Sequence, residues 1–135
     1  MKKVALLTVA MLCVASLVFA QGGSIGAFGD AGGTDCYITD AAPGLLSVYI
    51  VHVNVPGATA AQFYAPTPAC MTAATYLSDS SPFAVVIGSS QTGVAIGYGG
   101  CFTGPIHVLT IQYFASGLTA PCSYFHLLPP PPTPP

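Results

Sequence analysis

The decapeptide LSVYIVHVNV at residues 46–55 predicts a β-strand, because it is dense in β-branched and aromatic residues. The pair Pro56-Gly57 follows it directly and is typical of a turn. No stretch of the chain combines helical apolar spacing with capping residues, and Glu is absent throughout. The sequence therefore favours an all-β fold.

The two faces of this strand differ in polarity, since successive side chains point to opposite sides. One face holds alternate residues from Tyr49 to Val55, all of them β-branched or aromatic, and the other includes His52 and Asn54. Buried polar groups need hydrogen-bond partners. We therefore expect the face that runs from Tyr49 to Val55 to be buried.

Other segments with the residue types of β-strands recur along the chain at short, regular intervals, separated by Gly, Pro and Ser. The expected strands cover residues 24–28, 46–55, 60–65, 71–77, 83–87, 92–98, 107–114 and 122–128. The links between them are too short to hold crossover helices, so the pairing should be antiparallel. The sequence predicts a disulfide-stapled, antiparallel two-sheet β-sandwich of about eight strands.

The N-terminus has the features of an export signal. Lys2 and Lys3 precede an apolar run over residues 4–19, and small residues stand at Val18 and Ala20. The run is shorter than the roughly 20 residues that a spanning helix needs. This pattern is typical of a bacterial secretory signal that is cleaved before Gln21, and it predicts a secreted protein, extracellular or periplasmic.

The expected cleavage site before Gln21 and the proline run at the C-terminal end divide the chain into three segments. We expect a signal peptide at residues 1–20, one β-sandwich domain at 21–128 and a proline-rich tail at 129–135. The tail reads PPPPTPP and should adopt polyproline II, because proline fixes φ and cannot donate to a β-ladder.

The charge of the expected mature chain excludes two kinds of partner. No Lys or Arg follows Lys3, and the acidic residues are four Asp. A nucleic acid is bound through cations that displace phosphate counterions, and attraction to an anionic membrane surface also requires cations. We therefore expect no nucleic-acid partner and no membrane partner after cleavage.

Four cysteines remain after cleavage: Cys36, Cys70, Cys101 and Cys122. An even number in an exported chain predicts two disulfides, with three possible connectivities. We favour Cys36–Cys70 and Cys101–Cys122, because each bond then joins segments that are near in sequence. The spacings contain no C-x-x-C pair, which argues against zinc.

Candidates for catalysis are few, and we expect neither an enzyme nor a cofactor. The three histidines, His52, His107 and His126, lie on separate expected strands and would have to converge to bind a metal. No G-x-S-x-G elbow is present, and oxidised cysteines could not serve as nucleophiles. Glycosidase chemistry needs two carboxylates that flank one glycosidic bond, and the four Asp residues do not indicate such a pair.

Asp30, Asp35 and Asp40 lie five residues apart in a Gly-rich segment. Several oxygens on one loop could bind calcium, but the spacing differs from that of an EF-hand. Asp beside Gly is ordinary turn chemistry, which is the interpretation we favour, and we expect no metal.

Seven tyrosines and no tryptophan suggest a second type of site. Tyr37, Tyr64, Tyr76 and Tyr98 could present flat faces on which sugar rings stack, although tyrosines on strands also pack in cores and at edges.

Three segments resemble secreted bacterial β-sandwiches of the cohesin-like, immunoglobulin-like kind. They are SVYIVHVNVPGATAAQFYAP at 47–66, VAIGYGG at 94–100 and IHVLTIQYF at 106–114. The chain departs from cohesins in being shorter, in its two expected disulfides and in lacking Tyr-Asp-Pro after the "QF" strand, so no dockerin partner is implied. The resemblance implies a sandwich and a role in extracellular assembly.

We expect a non-catalytic structural or protein-interaction module with an extracellular protein or polysaccharide as partner. The alternative is a carbohydrate-binding module that uses exposed tyrosines.

Overall fold

A computed structural model describes residues 23–40, 42–117 and 125–130, which form one antiparallel β-sheet of five strands and no helix. The strands are β1 (Ser24–Phe28), β2 (Gly44–Phe63), β3 (Ala74–Ser80), β4 (Val85–Ser89) and β5 (Gly93–Ala115). The predicted all-β, antiparallel fold is confirmed. Within these ranges no helix could cross a membrane.

The two long strands form the frame of the sheet. β2 has 20 residues and β5 has 23, and they pair from Gly44–Ala115 at one end to Phe63–Val94 at the other. β1 and β3 flank this pair along what we call the first half of the sheet, in the order β1-β2-β5-β3. β4 flanks β5 along the second half, where it pairs with residues 93–97.

The sheet bends where its halves meet. The β2–β5 register shifts four times between residues 50 and 60 of β2, and bulges of this kind bend and twist a ladder. Asn54 at the bend has φ 56°, and Gly104 of β5 has φ 81°. Both halves contribute to one core cluster, so the folded sheet encloses its own apolar interior.

Where the sequence predicts about eight strands in two sheets, the described residues form five strands in one sheet. Residues 46–55 and 60–65 belong to the single strand β2, and 92–98 and 107–114 belong to β5. Pro56-Gly57 lies within bulges rather than in a turn, at a position where proline's missing N–H interrupts no regular ladder. The expected strand at 122–128 lies largely outside the described residues, and its last residue, Leu128, forms a bridge with Tyr64.

The predicted burial of β2 is wrong along its first half. Val48, Ile50 and His52 face the core, whereas Tyr49 and Val53 on the other face are partly exposed. The polar face of β2 can be buried because His52 has a hydrogen-bond partner inside the protein. Its Nδ1 lies 3.1 Å from the Tyr98 hydroxyl, which removes the penalty of burying the ring.

Two valines show how a bulge and a covering loop change the simple alternation of buried and exposed side chains along β2. Val51 points away from the core cluster and is still fully buried, because the loop around Gly33 covers it. Val55 is buried as predicted, but the bulge at Asn54 brings it there by shifting the alternation by one residue.

The structure does not contain the expected Cys36–Cys70 disulfide; Cys36, Cys70 and Cys101 are free thiols. Cys36 follows β1 at one edge of the first half, and Cys70 precedes β3 at the other edge, so β2 and β5 lie between. A disulfide needs Cα atoms within about 7 Å, and these two cysteines lie in loops that belong to opposite edges of the sheet. Cys101 is likewise unbonded in the structure, and its expected partner, Cys122, lies outside the described residues.

Candidate interaction surfaces

The strand β4 leaves one edge open. It pairs with β5 on one side, and no other described strand pairs with it. Its first three residues are apolar and exposed, with Val85 at 56% and Ile87 at 70% of full exposure. Unpaired N–H and C=O groups on such an edge can pair with another chain. We refer to Val85–Ser89 with its open side as the β4 edge.

A tight hairpin fixes the position of this edge. The backbone N–H of Thr92 donates to the Ser89 carbonyl at 3.2 Å and closes the turn between β4 and β5. Gly88 has φ 86°, and a Cβ there would collide with the Gly93 carbonyl oxygen. Glycine is therefore required at this position, because it alone adopts that φ without a clash.

The turn of the hairpin is also bound to the first half of the sheet. Ser90 is fully buried, and its N–H and hydroxyl donate to the two carboxylate oxygens of Asp79 in β3, at 2.6 and 2.8 Å. Gln91 Nε2 donates to the Ser90 hydroxyl at 2.9 Å and to the Ala65 carbonyl at 3.2 Å. We call these contacts the Asp79 clamp. They hold β4 in a fixed place, so its edge is presented on a rigid frame.

Further hydrogen bonds extend the Asp79 clamp into the core. The backbone N–H and hydroxyl of Thr67 donate to Gln91 Oε1, at 3.0 and 2.9 Å. Burial raises the pKa of Tyr113 and of Tyr76, and for Tyr76 the charge of nearby Asp79 adds to the rise. Both phenols therefore stay neutral and can serve as hydrogen-bond donors.

The four candidate sugar-stacking tyrosines do not form one platform. Tyr98 lies in the core and stacks on Phe83 with ring centroids 4.7 Å apart, and burial raises its pKa to about 12. Tyr64, directly after β2, and Tyr76, on β3, are half-buried in separate parts of the fold. Only Tyr37 among the four is strongly exposed, at 82%.

A shallow groove lies beside Tyr37, between the loop after β1 and the start of β2. Its lining includes Asp35, Tyr37, Thr39, Ser47 and Tyr49. The Asp35 carboxylate accepts a hydrogen bond from the Tyr37 backbone N–H at 2.9 Å, which ties the exposed ring to the loop. One open aromatic ring beside several hydroxyls and a carboxylate is chemistry that suits a sugar.

The histidines lie apart in the fold. His52 is buried beside Tyr98, whereas His107 is on the opposite face of the sheet, with Nε2 2.9 Å from the Thr110 hydroxyl. Burial lowers the pKa of both rings. His126 is exposed near the C-terminal end of the described chain. No group of three or more His, Cys, Asp or Glu within the described ranges is arranged to hold a metal ion.

Asp30 organises the Gly-rich loop, as the turn chemistry of the sequence predicts. Its carboxylate accepts hydrogen bonds from the backbone N–H groups of Gly32, Thr34 and Asp35 and from the Thr34 hydroxyl. These bonds, with that from Asp35 the strongest, hold the pKa of Asp30 below its ordinary value. The carboxylate therefore stabilises the loop itself.

Comparison with known proteins gives no match: no family model, no curated protein and no solved structure resembles the chain. The resemblance to cohesin-like sandwiches thus stays a prediction. The sequence predicts a strand at residues 83–87, but the open, exposed edge of β4 was not predicted. The signal was present in Val85, Val86 and Ile87, because three consecutive apolar residues in a strand put an apolar group on both faces.

Proposed function

We propose that this chain is a secreted, non-catalytic structural or protein-interaction module of the cell exterior. The observation that carries the proposal is the β4 edge, which is apolar, exposed and unpaired. Natural proteins normally protect such edges with charges, proline or a covering segment, and an unprotected edge is suited to pairing with a partner.

The charge of the chain supports the same proposal. No charged residue follows Asp79, so nothing near β4 in sequence repels an approaching neutral strand. The folded sheet encloses one core between its halves, much as two facing sheets do, and we extend the proposal to a cohesin-like or immunoglobulin-like sandwich. Assembly outside the cell also agrees with the export signal expected at residues 1–20.

The test places a photo-crosslinking amino acid at position 87 in the producing cells, with position 45 as the matched control. Ile87 and Leu45 have nearly equal exposure, 70% and 72%, but lie on different halves of the sheet. We expect protein adducts from position 87 and few from position 45, on secreted chains that begin at Gln21. Chains retained in the cytoplasm with Met1 intact, or no protein adduct from position 87, would contradict the proposal.

The groove beside Tyr37 supports a second candidate function, the binding of a polysaccharide. Tyr37 is available for stacking, and Asp35 and Thr39 could bind sugar hydroxyls. A glycan array should then show binding that Tyr37→Ala abolishes. Phe102→Ala is the control, because it removes an exposed aromatic ring on the other half of the sheet and should leave that binding intact.

A further inference from the structure

We propose that the partner of the β4 edge is the β4 edge of a second copy, paired antiparallel about a two-fold axis. The proposal rests on the proposed function and names the partner of that site. In such a dimer the sheet of one protomer continues into the sheet of the other. A two-fold interface of this kind uses the same surface on both protomers and therefore closes on itself.

The other described edges are less suited to this pairing. β1 is followed by a loop that folds back on it, with the Gly29 N–H donating to the Asp35 carbonyl at 2.7 Å. The exposed residues of β3 are mostly Thr and Ser, and the strand carries the charge of Asp79. Beside Tyr64, the bridging residue Leu128 is followed by Pro129 and Pro130, which cannot donate hydrogen bonds. The β4 edge has neither a charge nor a proline.

The charge of the chain favours a copy of itself over a charged partner. The mature chain has no cation, so it cannot neutralise acidic side chains on a partner strand. A basic partner would find its nearest acidic residue in sequence, Asp79, already occupied by Ser90. The complementary strand must therefore be neutral and apolar, and VVIGS meets both requirements.

The side chains of β4 fit a self-pairing centred on Ile87. Antiparallel pairing about this residue sets Ile87 beside its mate, and Val85 across from the partner's Ser89. Their neighbours on β5 are small: Ala95 pairs with Ile87, and Gly97 pairs with Val85. The apolar side chains of β4 thus stand above their own sheet and are free to pack against those of the second copy.

Sedimentation velocity on the purified secreted chain over a concentration series tests the pairing. We expect wild-type protein to move from monomer to dimer as its concentration rises. Ile87→Lys should weaken the dimer at least tenfold, because two like charges then meet at the centre of the interface. Leu45→Lys makes the same charge change at an equally exposed site and should dimerise as wild type does.

Charge complementation separates edge pairing from a general loss of apolar surface. Ile87→Glu should be monomeric alone, like Ile87→Lys, and an equal mixture of the two should regain a dimer. Dissociation in both variants without rescue in the mixture would overturn the pairing about Ile87. Wild-type protein that stays monomeric throughout would overturn self-pairing altogether, whereas crosslinks from position 87 to a different protein would leave the proposed function in place.

Discussion

The Asp79 clamp allows a sharp test of how the folded sheet is held together. Asp79 belongs to β3 in the first half, and Ser90 belongs to the turn that carries β4 in the second half. Asp79→Ala removes both acceptors of Ser90 and leaves its N–H and hydroxyl without an acceptor in a site that is fully buried. The predicted result is a large loss of stability.

The magnitude follows from the two lost hydrogen bonds. An unsatisfied buried donor costs about 1–3 kcal/mol, so the two donors of Ser90 should lower the free energy of unfolding of Asp79→Ala by about 2–6 kcal/mol. Asp79→Asn keeps one acceptor oxygen and should lower it by about half as much. For a small domain with a total stability of about 5–15 kcal/mol, these changes are easily measured.

Urea unfolding followed by tyrosine fluorescence measures the effect. With a slope of about 2 kcal/mol per molar, Asp79→Ala should lower the midpoint by about 1–3 M. Ser80→Ala is the matched control, since it alters the next residue of β3, which is exposed, and should change stability by less than about 0.5 kcal/mol. If Asp79→Ala and Ser80→Ala unfold at the same midpoint, the hydrogen bonds to Ser90 do not stabilise the fold.

Three further predictions follow from the same structure. Burial lowers the pKa of His52 and His107 below 6.5, so the unfolded chain binds more protons than the folded chain, and stability should fall as the pH drops below about 6.5. The urea midpoint should therefore be lower at pH 5.5 than at pH 7.5, and the double variant His52→Gln, His107→Gln should reduce this difference. Ile50→Asp should abolish secretion of folded protein and Tyr49→Asp should not, as measured by yield in the culture medium; equal yields would contradict the observed register. Gly88→Ala should lower the thermal midpoint by several degrees, because its φ is positive and its new Cβ meets the next strand; an unchanged midpoint would mean that the hairpin tolerates a Cβ there.

Local sequence signals were sufficient for the fold class but not for the connectivity of the sheet. The β-branched density of residues 46–55 correctly predicts a strand, and the lack of helical spacing correctly predicts an all-β chain. Pro56-Gly57 looks like a turn in sequence because the same residues serve turns and bulges. Only the pairing of β2 with β5, which is distant in sequence, decides between them.

The burial of single residues depends on partners that no local pattern reveals. His52 is buried because Tyr98, far along the chain, supplies a hydroxyl, and Val51 is covered by the loop that carries Gly33. The β4 edge was missed for the same reason. The sequence of residues 85–87 predicts a strand without showing whether it lies inside the sheet or at its edge. Their exposure follows because β4 pairs with β5 on one side and with no other described strand.

The long, bulged ladder between β2 and β5 also constrains how this protein folds. Gly44 meets Ala115 at one end of the ladder, so most of the chain has to be brought together before that end can form. The hairpin of β4 and β5 is the only ladder closed by a tight turn within the described residues, and it can form early. Sheets dominated by such distant contacts fold in milliseconds to seconds, since loop-closure entropy is lost before the contacts compensate for it. A β4–β5 hairpin that formed in that interval would expose Val85–Ile87 without the surrounding sheet, and the chain would then be prone to premature association before its core has closed.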